Sequence, residues 1–230
     1  MPYGKQRGKA QAPRTGRAGL TKKKTKKSNG KRLAREDWVL AAKEILISEG
    51  VRGLSLRRLA TSLNMTTGGF YWLFENFDEL LDDLRKHWES ENSKAFDENF
   101  DCSELNSKER YIGYLRILFN TSLFDPSYDN AVRDWARSSP ETAKNVRRVD
   151  ARRIAQLKSM YEDFGYGEGA SLVKAESAYY HQVGYFTVGV SENLESRLSK
   201  IPYYAEFIQP GIIPKDTPIE ELKKLLIIGA

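Results

Sequence analysis

The sequence holds one cysteine, Cys102, and two histidines, His87 and His181. A lone thiol excludes an intramolecular disulfide framework, and so few Cys and His make a zinc site built from them improbable. A reducing cytoplasm fits that usage. No run of eighteen apolar residues is present, and the N-terminal region has no apolar stretch of the length a signal peptide needs. The expectation is therefore a soluble chain with no membrane partner, not exported by that route. No alternating strand pattern persists anywhere. Catalytic signatures are missing as well: "GYGEG" (165–169) follows no strand, so it reads as a helix-breaking loop and not a dinucleotide fingerprint. There is no Gly-x-Ser-x-Gly, no Walker loop and no His-Glu-x-x-His, and Cys102 has no His near it in sequence. Neither an enzyme nor a cofactor is expected.

Acidic residues are absent from one region only. Residues 1–32 contain 12 of the 37 Lys and Arg and none of the 31 Asp and Glu. The remainder holds 25 cations against 31 acids, a balance of −6, so the whole basic excess lies in this tail. With almost nothing apolar, 1–32 cannot offset the entropy of ordering and is expected to be a disordered arm. Its block "KKKTKK" carries Lys22, Lys23 and Lys24, which would attract phosphates or enter a groove. A solvated tail that only aids solubility is the alternative.

From Leu33 onward the apolar residues have helical periodicity. Trp38, Ala41, Ala42 and Ile45 recur at i, i+3, i+4 and i+7, and Gly50 stops that helix. Ser55 is a good N-cap for a short second helix with Leu56, Leu59, Ala60 and Leu63 inward and Arg57 and Arg58 outward. Asn64 tolerates the left-handed conformation that ends a helix sharply, which places a turn at Asn64 and Met65. Thr66 then caps a third helix, expected to run to about Phe74. Phe70, Leu73 and Phe74 can face inward on it, while Thr67, Gly68, Tyr71 and Trp72 share the outer side. Two short helices joined by a tight turn form a helix-turn-helix, whose second helix lies in the DNA major groove. Packing of Tyr71 and Trp72 on the first helix is the competing reading. Longer helices are expected over 78–100, 107–124, 129–139, 141–164 and 168–200, and a last one over 216–228 with Thr217 as N-cap.

The block "GLSLRRLATSLNMTTGGFYWLFENFDELLDDL" resembles the tetracycline-repressor (TetR) family of transcriptional regulators over about Leu33 to Trp88. Gly53-Leu54, Leu59-Ala60, Phe70-Tyr71-Trp72 and Leu80-Leu81-Asp82 carry the resemblance. It implies an all-α fold, with a three-helix DNA-binding domain over 33–76 and a larger helical ligand-binding and dimerisation domain over 77–230. In members of the family the residues matching Arg57, Thr66, Thr67, Gly68, Tyr71 and Trp72 face DNA. Hydroxyls and helix N-termini suit phosphate oxygens, and a Thr methyl suits the thymine methyl. Two positions depart from the family. Leu73 stands where a His is often found, and Phe77 where a Lys usually opens the fourth helix. Two phosphate contacts are then missing, and the arm from Lys22 to Arg35 is expected to replace them. The pair Gly68-Gly69 implies either a loose recognition helix or a close approach to the second helix.

The resemblance further implies a homodimer on a palindromic double-stranded DNA operator, released by a small-molecule inducer, with repression as the default. The dimer interface would fall to about 168–198, whose apolar stripe could instead pack within one subunit. "VRDWARSSPETAKNVRRVDARR" (132–153) resembles a run in one subgroup of these regulators and names no ligand. Tyr111, Tyr114, Phe119, Trp135 and Tyr161 would line an inducer pocket, with core packing as the competing reading for each. His181 could bond a ligand or cross the dimer interface, or be a satisfied core or surface residue. A sequence-tolerant DNA-binding protein driven by the basic arm is the rival function.

Overall fold

The computed structural model describes residues 34–227 and Gly229, and every regular element among them is helical. α1 (Arg35–Glu49) begins where the Ala34 amide donates to the Asp37 carboxylate at 2.7 Å, and it buries Trp38, Val39, Ala42, Ile45 and Leu46. After a 3-10 turn (Val51–Gly53), the Ser55 hydroxyl accepts from the Arg58 amide and caps α2 (Leu56–Ser62). Asn64 is left-handed, with φ 52°. Two backbone bonds close α2 around it, Met65 N–H to Ala60 O at 2.8 Å and Asn64 N–H to Thr61 O at 3.1 Å. This paired return satisfies two carbonyls that the helix end would leave orphaned. The turn delivers Thr66 to the start of α3 (Thr67–Phe70), a helix of a single turn.

α4 (Phe77–Phe100) is capped by the Asn76 side chain, which accepts from the Glu79 amide. Leu80, Leu84 and Trp88 from its first half complete a core with α1–α3. That core is closed by Tyr128, Val132 and Trp135 of α6 (Pro126–Ala136) and by Val146 and Val149 of α7 (Pro140–Asp163). Phe96 and Phe100, further along α4, join a second core with α5 (Ser107–Phe119), α7, α8 (Glu168–Val188), α9 (Leu194–Ile208) and α10 (Ile219–Leu226). A division at 76/77 therefore falls on the α4 cap, and apolar packing continues across it. At Gly113 a Cβ would lie 1.8 Å from Asn99 Oδ1, so α5 lies on α4 at a distance that a side chain there would prevent.

Several boundaries differ from expectation. The helix expected over 107–124 ends at Phe119, because Asn120 leaves helical geometry and its amide donates to Leu226 O at 2.7 Å and to Arg116 O. α6 starts three residues before Asp129: the Asp125 carboxylate accepts from the Ser127 and Tyr128 amides, and Pro126 holds the first position. The single helix expected over 168–200 is two. Gly189, left-handed with φ 69°, ends α8, and Asn193 caps α9, which continues through Pro202 to Ile208. Pro218 occupies the cap of α10, while Thr217 donates its hydroxyl to Pro214 O at 2.7 Å. Among the described residues no helix is long and apolar enough to cross a membrane.

Candidate nucleic-acid interface and ligand cavity

α3 and the turn that follows it separate their aromatics by burial. Phe70 is fully buried, stacked on Phe74 at 4.8 Å between centroids and edge-on to Trp38 at 5.3 Å. On the opposite side Tyr71 is 61% exposed and Trp72 85% exposed. Thr66, Thr67 and Gly68 are exposed beside them, as is Arg57 on α2. The helical turn ends at Phe70 and not at Phe74, and a tighter turn carries Tyr71 and Trp72. Packing of Trp72 on α1 is excluded by its exposure. Tyr71 keeps one inward contact, edge-on to Phe70 at 5.3 Å. Close packing does not explain the glycines: a Cβ on Gly68 would meet only Thr66 Oγ1 at 3.8 Å, and one on Gly69 the flexible end of Met65 at 3.2 Å. A methyl group would fit at Gly68 and at Gly69 would require only that the flexible Met65 side chain shift, so the effect of Gly68 is an open backbone on the exposed side.

Arg35 has a different role from that expected. Its guanidinium pairs with Asp83 at 2.5 Å and Glu79 at 2.7 Å, donates to Leu73 O at 2.8 Å, and lies 4.3 Å over the Phe74 ring. These partners tie α1 to α4 and to the segment after α3, so Arg35 is not a free phosphate ligand. Glu79, with the Glu75 amide and Arg35 donating to it, is held below the ordinary carboxylate pKa. Between residues 52 and 77 the cations are Arg52, Arg57 and Arg58, and Arg58 is paired with Glu49 at 2.6 Å. Leu73 is half-buried, and Phe77 packs towards Phe70 at 6.5 Å. Lys22, Lys23 and Lys24 lie outside the described residues.

A partly open cavity of about 50 Å³ lies between α5, α8 and α9. It brings together four of the residues named from sequence: Tyr111, Tyr114, Phe119 and His181. Trp135 is instead buried in the core beneath α1–α4, with the Arg85 guanidinium 5.1 Å from its ring centroid. Tyr161 is buried behind the cavity among α5, α7 and α8, and its hydroxyl has no partner among the described residues. The sequence reading missed Gln182, Glu192 and Arg197, which also line the cavity. Their only signal was position in a helix taken to be continuous. His181 stands at an exposed edge with its ring 4.5 Å from Tyr204, and burial, then the nearby Arg197 charge, hold it below the ordinary histidine pKa. Tyr114 donates its hydroxyl to Gln182 Oε1 at 3.0 Å.

A buried polar network runs from α8 beside this cavity to α4. The Tyr179 hydroxyl donates to Asp150 at 2.6 Å and accepts from Arg133 at 2.8 Å. Arg133 pairs with Asp129 at 2.8 Å, and Asn92 of α4 donates to the other Asp129 oxygen at 2.8 Å. Burial raises the Asp129 carboxyl above its ordinary pKa, opposed by Arg133. Such a network is rigid while every member is satisfied.

Residues 39–84 match the family described as bacterial regulatory proteins, tetR family. Among curated proteins none matches the sequence. Among solved structures, the chain is similar to a TetR-family transcriptional regulator from Marinobacter aquaeolei VT8, with TM-score 0.62, 16% identity, and coverage of 84% of this chain and 98% of that one. A TetR transcriptional regulator from Legionella pneumophila aligns with TM-score 0.55 at 15% identity, over 88% of this chain and 100% of that one. The E. coli protein NemR in its reduced form gives 0.53 at 16%, over 85% and 99%. At these identities the likeness is one of fold.

Proposed function

We propose that the chain, whose residues 39–84 match the tetR family of bacterial regulatory proteins, is a transcriptional repressor that binds a palindromic operator as a homodimer and releases it when a small molecule enters the α5–α8–α9 cavity. The observation that carries the reading is the division of α3 and the turn after it. Phe70 and Phe74 anchor it, while Thr66, Thr67, Gly68, Tyr71 and Trp72 stand in solvent beside Arg57. A soluble protein gains nothing in folding from a Trp that is 85% exposed on the turn after a one-turn helix. Against DNA it offers a flat apolar surface to sugars and bases, next to hydroxyls and amides that suit phosphates.

The dimer is supported by apolar side chains left exposed on α8 (Val173, Tyr180 and Val188) and on α9 (Tyr203 and Phe207). Two copies of one reading head on one molecule double the contacted bases and require an inverted repeat. Ligand response is supported by the cavity and by the polar network from Tyr179 to Asn92, through which a shift of α8 would be felt by α4. A ligand moves that equilibrium only by its differential affinity for the two states. The few cations between residues 52 and 77 favour the basic arm as supplier of phosphate contacts. If the arm supplied nearly all the affinity, sequence-tolerant binding would result.

Selection of duplexes from a random pool by the purified chain separates these readings. An enriched inverted repeat with half-sites a whole number of DNA turns apart supports the proposal. Retention of DNA without any enriched sequence supports the arm-driven alternative.

A further inference from the structure

The polar groups that line the α5–α8–α9 cavity are unequally satisfied. Glu192 is spent: its carboxylate accepts from Tyr185 at 2.8 Å, Ser196 at 2.9 Å and Lys200 at 2.5 Å. These donors hold it ionised, with a pKa lowered to about 2. Arg197 has no such partner. Its guanidinium lies 4.0 Å from the Phe119 ring centroid and 4.8 Å from Tyr185, and Nη2 donates to Leu118 O at 3.0 Å. Among the described residues Nε and Nη1 have no acceptor and no carboxylate pairs with this side chain. Gln182 spends Oε1 on Tyr114, which leaves its Nε2 donors without a partner there. The unspent capacity in this cavity is therefore donor capacity, one group of it cationic, among aromatic and aliphatic walls.

A half-buried guanidinium with no direct ion pair, which feels Glu192 only at longer range, is costly, and a carboxylate is the group whose two oxygens match its fork. We propose that the cavity binds an apolar carboxylic acid, its carboxylate held by Arg197 and Gln182 and its hydrocarbon part against Tyr111, Leu115 and Ile201, all of which line the cavity. A cationic ligand is disfavoured, because the acid in the same wall is already paired with Lys200, whereas Arg197 has no ion pair among the described residues and Glu192 acts on it only at longer range. This rests on the reading of the cavity as the effector site and names the class of effector.

Isothermal titration of the purified full chain at pH 7, without DNA, compares benzoate, 1-naphthoate and decanoate each with its own primary amide. At least one acid should bind tenfold or more tighter than its amide. Arg197→Gln should erase that preference and leave amide binding in place, with folding checked by circular dichroism. If Arg197→Gln does not fold, Arg197→Lys decides: acid binding weakened threefold or more with amide binding unchanged is expected. No preference for any acid, including no binding of any of the six compounds, overturns the proposal, as does a preference that survives loss of the guanidinium. Acid binding that fails to release DNA would leave this inference standing and refute ligand-driven release. Release by some other compound, with no acid preference, would do the reverse.

Discussion

Trp72→Ala and Phe70→Ala should have opposite consequences although the two residues are two apart in one short segment. Trp72 is 85% exposed, so its side chain is already in water in the folded monomer, and its removal should change folding stability by no more than about 0.5 kcal/mol. Phe70 is fully buried against Trp38 and Phe74, and truncating such a ring costs about 3–5 kcal/mol through lost transfer and an unfilled cavity. On DNA the order reverses. A lost groove contact of about 1 kcal/mol in each half-site doubles in a two-fold dimer to about 2 kcal/mol, roughly thirtyfold in Kd. Thermal melting and fluorescence anisotropy on one selected duplex, at fixed salt, measure both quantities on the same samples. The reasoning fails if Trp72→Ala lowers the melting temperature as Phe70→Ala does, or if it leaves Kd within twofold of the parent chain.

Removing residues 1–31 should weaken DNA binding and flatten the dependence of log K on log salt, since each lost phosphate contact reduces that slope by about 0.9; an unchanged slope would remove the arm from the interface. Arg35→Ala should instead lower stability, by about 1 kcal/mol after screening of a guanidinium that is 40% exposed, and leave the salt slope nearly unchanged. Phe207→Lys combined with Val173→Glu should convert dimers to folded monomers by light scattering, with the helical circular dichroism retained; persistence of the dimer would relocate the interface. Burial holds both His87 and His181 below the ordinary histidine pKa, so the unfolded chain takes up protons first as pH falls. Their contribution to stability is present above about pH 6.5 and is lost as the pH drops below it. Denaturant midpoints at pH 7.5 and 5.5 should show the loss, and replacing both histidines with Gln should reduce it.

The parts legible in the sequence were those fixed by local chemistry. Ser55 and Asn64 each have a conformation set by their own side chains, and the period of the apolar residues places Phe70 and Phe74 under α3 while Tyr71 and Trp72 stay outside. The parts that were missed depend on partners far along the chain. Asn120 breaks α5 where its amide reaches Leu226, and nothing near position 120 announces that contact. Arg35 looks like the end of a basic arm until Glu79 and Asp83 are brought beside it. Trp135 and Tyr111 are indistinguishable as aromatics on amphipathic helices, and only the packing of α6 against α1 and of α5 against α8 and α9 separates core from cavity. Two signals were present and underused: Asp125-Pro126, a cap with proline at the first helical position, and Gly189 with Asn193 four residues on, a stop and a new start.

The most direct test is anisotropy of the purified full chain on the DNA upstream of its own gene against a scrambled duplex of equal length, from about 50 to 200 mM salt. A repressor that reads an operator should keep a preference of roughly 10³-fold or more for its own DNA at the higher salt. Equal affinity for the two duplexes, falling together as salt rises, would contradict sequence-specific reading by α3 at that site and leave the arm as the source of binding.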